Sequence, residues 1–148
     1  MFKHVLIPTD GSELSKKAID AGIAFAKESG ARVTAYYAVE APPAQVYGEG
    51  YHFPDAKMAG EHDRAAREAG AQYIDEVGRA AKAAGVAFDC AVSEAVSPYE
   101  GIVNAAREHE CDVIFMASHG RKGLARLALG SVTSSVLTHS TVPVLVYR

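Results

Sequence analysis

Cysteine is scarce in this sequence, and long apolar runs are missing. Cys90 and Cys111 are too few for a disulfide framework and stand in no CxxC spacing, so a reducing cytosol is the default setting. The N-terminal stretch MFKHVLIPTDGS offers only four or five apolar residues before Pro8 and Asp10. That is too short for the apolar region of a signal peptide and far too short for a membrane span, so a cytoplasmic protein is expected. Positive charge is in deficit as well. The 15 Lys and Arg stand against 18 Asp and Glu, for a formal net charge of -3 and a pI of about 6.0. That balance argues against a broad electrostatic footprint for nucleic acid or an anionic membrane.

Several catalytic signatures are absent too. There is no GxxxxGK[ST] phosphate loop, no GxGxxG after the first apolar segment, and no GxSxG nucleophile elbow. Ser118 and His119 with Asp10 therefore make a poor triad, and no catalytic residue is assigned. His109-Glu110-Cys111 lacks metal-ligand spacing and the other histidines are scattered, so no metal ligands are assigned either.

What is present is the material of one α/β domain. The chain has 148 residues, of which 49% are hydrophobic and 22% charged, ordinary values for a globular protein with one buried core. HVLIP (His4 to Pro8) and DVIFMA (Asp112 to Ala117) are continuous apolar runs, as expected of strands buried on both faces of a parallel sheet. RVTAYYAV (Arg32 to Val39), VAFDCAV (Val86 to Val92) and VPVLVYR (Val142 to Arg148) read as three more strands. Helical spacing follows Ser12 up to Gly30, runs from about Pro54 to Ala84, opens again at Pro98, and returns from about Ser131 to His139. In the second helix Ala66, Ala69, Tyr73, Val77, Ala80 and Ala84 form the apolar stripe, with Gly60, Gly70 and Gly78 as local weak points. Strict alternation of strands and helices implies parallel strands, right-handed crossovers and a three-layer doubly wound sandwich. The one irregular stretch, Glu40 to Asp55, reads as a lid or a surface insertion.

Ligands of doubly wound sheets bind beyond the C-terminal strand ends, where neighbouring connections leave in opposite directions. The first and fourth strands are the most apolar and so the natural central pair. Their ends carry PTDGS (Pro8 to Ser12) and ASHGRKG (Ala117 to Gly123). In the second loop, glycine lets backbone N–H groups approach an anion without a Cβ in the way. Gly130-Ser131 then opens a helix whose free N–H groups and dipole favour negative charge. Ser131 and Ser134 can add hydroxyls, and Arg121 or Lys122 can add charge. On residues alone the loop reads either as a phosphate cradle or as turns followed by a Ser131 helix cap. Asp10 likewise reads either as an acceptor for a ribose hydroxyl or adenine amine, or as a helix cap. His119 is expected to position its loop, and Tyr36 and Tyr37 to serve as strand residues.

The stretches LIPTDGSELSKKA, DVIFMASHGRKGL and LGSVTSSVLTHSTVPVLVYR resemble the universal stress protein family, over essentially the full length of the chain. The family's ATP-binding members carry the pattern G-x2-G-x9-G-[ST]. Here it falls on Ala117, Gly120, Gly130 and Ser131, with alanine in place of the first glycine. Alanine serves there as long as the residue keeps a strand-like φ. The resemblance implies a single domain over residues 1–148 with a five-stranded sheet in order 3-2-1-4-5 and four helices. It implies a homodimer paired through Val142 to Tyr147, and ATP, its Mg2+ carried on the phosphates, between the loops after strands one and four. Asp10 would hold the ribose or base end and Val39 would line the adenine. Gly120, Arg121, Gly123, Gly130, Ser131 and Ser134 would surround the phosphates. Pro8, Thr9, Ala117, Ser118, His119 and Val132 complete the implied cofactor-binding set. The expected role is regulatory, in the stress response, with nucleotide ordering the stretch from Glu40 to Asp55 for a downstream protein partner that the sequence does not name. The alternatives are a slow ATPase and a nucleotide-free, chaperone-like dimeric module.

Overall fold

The computed structural model describes residues 1–42, 45–47, 50–52, 54–120 and 128–148. Strands and helices alternate along it: β1 (His4–Pro8), α1 (Glu13–Ser29), β2 (Arg32–Glu40), β3 (Gln45–Tyr47), β4 (Gly50–His52), α2 (Ala56–Ala84), β5 (Phe88–Ala95), α3 (Pro98–Glu108), β6 (Val113–Ala117), α4 (Ser131–His139) and β7 (Val144–Tyr147). Five strands form one sheet in the order β5-β2-β1-β6-β7, which is 3-2-1-4-5 when only its own strands are counted. Every neighbouring pair in it is parallel.

The uninterrupted apolar runs explain this order. A strand without alternation must be covered on both faces, which places it inside the sheet rather than at an edge. β1 and β6 pair with Val5 opposite Val113 and Leu6 opposite Ile114, and all four side chains are fully buried. On one face Val5, Ile7, Val33 and Ala35 pack under α1 and α2, through Ile19, Ile23, Ile74 and Val77. On the other, Leu6, Tyr36 and Ile114 pack under α3 and α4, through Ile102, Ala106 and Val136. Burial of this kind contributes roughly 25 cal/mol per Å² of apolar surface removed from water, which makes the two layers the main stabilising term.

Three local readings are corrected. The stretch from Glu40 to Asp55 is not wholly irregular, because β3 and β4 pair antiparallel within it, Gln45 opposite His52 and Tyr47 opposite Gly50. The third sheet strand begins at Phe88 instead of Val86: the Val86 N–H bonds back to Ala81 O (2.9 Å) and closes the end of α2. It runs on to Ala95 because β2 extends to Glu40 and supplies its partner. The last strand begins at Val144, since the Val142 N–H is held by Ser140 Oγ (3.1 Å) in the preceding turn. α2 passes through its glycines unbroken. Gly70 and Gly78 are contact points there, where an added Cβ would run into the Tyr37 ring and come within 3.0 Å of the Phe88 ring.

His4 is buried at the start of β1, with Nε2 2.7 Å from Thr34 Oγ1. Burial, and then the Arg32 guanidinium, hold its pKa below the ordinary value; His109 acts in the same direction and Asp112 against it. The unfolded chain therefore binds a proton more readily at this position than the folded one. Its contribution to stability is complete above the unfolded-state pKa of about 6.5 and declines as pH falls below it. Urea midpoints measured from pH 7.5 to 5 should fall with acidification, and His4→Gln, which does not titrate, should flatten the curve.

Candidate functional site

The two central strands end in loops that meet. After β1, the Thr9 N–H bonds to Tyr36 O on β2 (2.9 Å), which fixes where the chain leaves the sheet. The buried Thr9 hydroxyl accepts from Ser15 Oγ (3.1 Å) and from the Gly11 N–H (3.3 Å). Asp10 Oδ1 accepts from the Ser12 N–H (2.9 Å), an Asx turn that pins the carboxylate to its own loop. The cap of α1 is Ser12, whose Oγ accepts from the Ser15 N–H (3.2 Å), so the capping alternative for Asp10 falls to its neighbour. Gly11 has φ +76°, and a Cβ there would run into the ring of Tyr73 on α2, so conformation and space both require glycine.

After β6 the chain is held on three sides. Ala117 is still strand, paired with Tyr147, and the sole positive-φ residue other than glycine among the described residues is Glu110. Alanine therefore fits at the first pattern position without strain. The Ser118 N–H bonds to Tyr147 O (2.7 Å), and Ser118 O accepts from the Gly130 N–H (2.8 Å), closing the base of the loop. The Thr133 hydroxyl donates to Ala117 O (2.9 Å). Ser118 Oγ lies 3.1 Å from His119 Nδ1 but is part of a residue only 4% exposed, which leaves it unsuited to attack a substrate. A Cβ on Gly130 would stand 3.0 Å from His119 Cα, a backbone atom that cannot swing aside.

Gly130 is also the cap of α4. No side chain caps that helix, and its first turn holds no acidic residue. The Ser131 reading as a cap is thus corrected: Ser131 is the first helical residue, exposed at the helix mouth. The first-turn N–H groups lack intrahelical acceptors and carry the positive end of the dipole, which suits an anion. The loops touch where a Cβ on Gly120 would overlap Asp10 Oδ2. The crevice so formed has a carboxylate on the β1 side and an amide-rich helix end on the β6 side.

The structure brings Pro8, Thr9, Asp10, Ala117, Ser118, His119, Gly120, Gly130, Ser131, Val132 and Ser134 to this end of the sheet. Arg121 and Gly123, with Lys122, lie outside the described residues. Val39 is buried at the end of β2, where it lines a cavity of about 470 Å³ together with Pro42, His62, Glu94 and Val96. At its edge Arg67 bonds Asp63 (2.9 Å) and Glu94 (2.6 Å), tying α2 to β5. Cys111 sits before β6, at the opposite end of the sheet, and burial pushes its thiol up to about 12, so it supplies no thiolate here. Sequence reading missed Ser15, Tyr73 and Tyr147, which shape the loops from other elements. The contacts of Tyr73 with Gly11 and of Tyr147 with Ser118 join distant positions and leave no local pattern, whereas Ser15 reaches Thr9 across only six residues.

The universal stress protein family model matches residues 1–148, and the chain belongs to that family. It is 32% identical over 151 residues to universal stress protein MJ0531 of Methanocaldococcus jannaschii, covering 100% of this chain and 83% of that protein. The solved structure of MJ0577, from the same organism, superposes with a TM-score of 0.81 at 25% identity, over 99% of this chain and 95% of the other. A universal stress protein solved in complex with cAMP superposes with a TM-score of 0.72 at 25% identity, over 99% and 97%.

The Thr133 side chain is buried, and its hydroxyl donates to Ala117 O. Thr133→Val keeps the shape but strands that acceptor. It should cost about 1–3 kcal/mol in urea unfolding, with the midpoint lowered and the slope unchanged.

Proposed function

We propose that the chain is an adenine-nucleotide-binding regulatory protein of the stress response, a single domain over residues 1–148 whose ligand is ATP. The observation that carries this reading is the contact between Asp10 and Gly120 beside the unguarded start of α4. One wall of the crevice accepts hydrogen bonds from a nucleoside and the other donates them to phosphates. The chemistry fits: a carboxylate already oriented by the Ser12 N–H suits a ribose hydroxyl or base amine, and the α4 first turn with Gly120, Gly130, Ser131 and Ser134 suits anionic oxygens. In this reading the adenine reaches toward Val39, which lines the cavity at the end of β2. The relative solved with cAMP supports an adenine nucleotide as the ligand class. Among the described residues no three His, Cys, Asp or Glu side chains converge to hold a metal. Mg2+ in this reading travels with the phosphates. The chain's part is to bind and orient the nucleotide.

We also propose a homodimer through β7, in the cytoplasm. Both edges of the sheet are open to pairing, but they differ. β5 carries Asp89 and Glu94, whereas Val144, Leu145, Val146 and Tyr147 carry no charge and are half-buried. An uncharged edge strand invites a second copy, and a charged one resists it. Among the described residues no helix is long and apolar enough to cross a membrane.

Purified protein, extracted and assayed for adenine nucleotide and then titrated with Mg-ATP by calorimetry, tests the nucleotide reading. ATP should bind the native chain. Gly130→Val, which thrusts side-chain atoms at the His119 backbone, should abolish binding, and Asp10→Ala should weaken it at least tenfold. A native chain that carries no nucleotide and takes up none would remove the reading. For the dimer, light scattering should give twice the 15.6 kDa chain mass. Val146→Lys, a charge on the pairing edge, should give the monomer mass with the helical signal kept.

A further inference from the structure

Tyr73 belongs to none of the nucleotide-contacting positions, yet its ring rests on the loop that presents Asp10. It lies in the middle of α2, on the apolar stripe, half-buried. The outer end of its ring faces Gly11 so closely that a Cβ on Gly11 would overlap it. The opposite contact mirrors this one. Tyr37 of β2 packs where Gly70 of α2 leaves room, and the two tyrosine rings meet edge to face at 5.8 Å between centroids. Each ring thus occupies the notch of a glycine on the other side of the α2–sheet interface. Gly11 is held at φ +76° between Asp10 and Ser12, the residues joined by the bond from the Ser12 N–H to Asp10 Oδ1. Glycine populates many conformations when unsupported, so a loop hinged on it keeps one geometry only if something packs against it.

We propose that Tyr73 is the positioning residue of the crevice: its ring, carried by α2, holds the Gly11 turn and thereby sets the Asp10 carboxylate for the nucleoside end of the ligand. The inference rests on the nucleotide reading above for its ligand, and on the ring contact alone for the clamp. It makes α2 part of the site without touching ligand. By linkage, a displacement of α2 that lifts the ring weakens nucleotide binding, and nucleotide binding holds α2 down by the same factor. The phosphate side, built from β6 and α4, does not pass through this contact.

The test compares Tyr73→Ala and Tyr73→Phe with the native chain, with Tyr73→Leu as the bulk-preserving variant should alanine fail to fold. Amide hydrogen exchange is measured without nucleotide. The Ser12 N–H should exchange at least tenfold faster in Tyr73→Ala, while the Leu6 and Ile7 amides in the core of β1 keep their native rates. Titration should show ATP affinity reduced at least tenfold and inorganic tripolyphosphate affinity within twofold of native. Tyr73→Phe, which keeps the ring, should lie closer to the native chain than Tyr73→Ala in both. Unchanged Ser12 exchange and ATP affinity in Tyr73→Ala would overturn the proposal. So would equal acceleration at Leu6, equal loss of tripolyphosphate, or a phenylalanine variant as defective as alanine. If the native chain binds no ATP, the nucleotide reading fails, and the exchange measurement still decides the clamp by its own two results.

Discussion

The pairing of β1 directly against β6, with their connections leaving to opposite faces, is the constraint on which the rest depends. α1 leaves β1 toward the layer of Ile19 and Ile23, and α4 follows β6 on the layer of Val136. Two parallel neighbours whose loops diverge leave a crevice at their shared C-terminal end, because no connection runs across it. The polar groups there are satisfied mostly within their own loops. Thr9 serves Gly11 and Ser15, Asp10 serves Ser12, and Ser118 serves Tyr147 and Gly130. That self-sufficiency limits the unpaired main chain at this end of the sheet. The start of α4, at this end of the sheet, has no side-chain cap.

Close approach is the second theme. Gly120 meets Asp10, Gly130 meets the His119 backbone, Gly11 meets Tyr73 and Gly70 meets Tyr37. In each pair a missing Cβ lets one element settle onto another at a distance a side chain would forbid. These four glycines, of which Gly120 and Gly130 belong to the family pattern, thus act as contact surfaces. They let the β1 loop approach both Gly120 after β6 and Tyr73 of α2. Precision at a binding site comes from such supporting contacts as much as from the groups that touch ligand.

Much of the fold was legible in the residues. Two unbroken apolar runs, HVLIP and VIFMA, marked the buried central pair because alternation disappears when both faces are covered. The extent of α1, from just after Ser12 to Gly30, followed from its helical spacing and the glycine that ends it. The β3–β4 hairpin escaped notice, since its strands are three residues each and carry no period long enough to read. The start of β5 was misplaced because Val86 is apolar for a different reason: it closes α2 and is buried beneath it. At the site, the spacing from Gly120 to Gly130 was readable, and so was the polar loop after β1. What Asp10 and Ser131 do with their side chains was not, because a cap and a ligand group look alike along a chain.

The amino-acid sequence by itself determined the alternation of strands and helices, the identity of the two central strands and the polar, glycine-bearing loops at their ends. These are consequences of side-chain period and backbone freedom, which act within a few residues. Only the tertiary structure decided that Ser12 and not Asp10 caps α1, that Gly120 meets Asp10, and that Tyr73 leans on Gly11. Those outcomes depend on which residues, more than a hundred positions apart for Asp10 and Gly120, arrive at the same point in space, and no local preference encodes that.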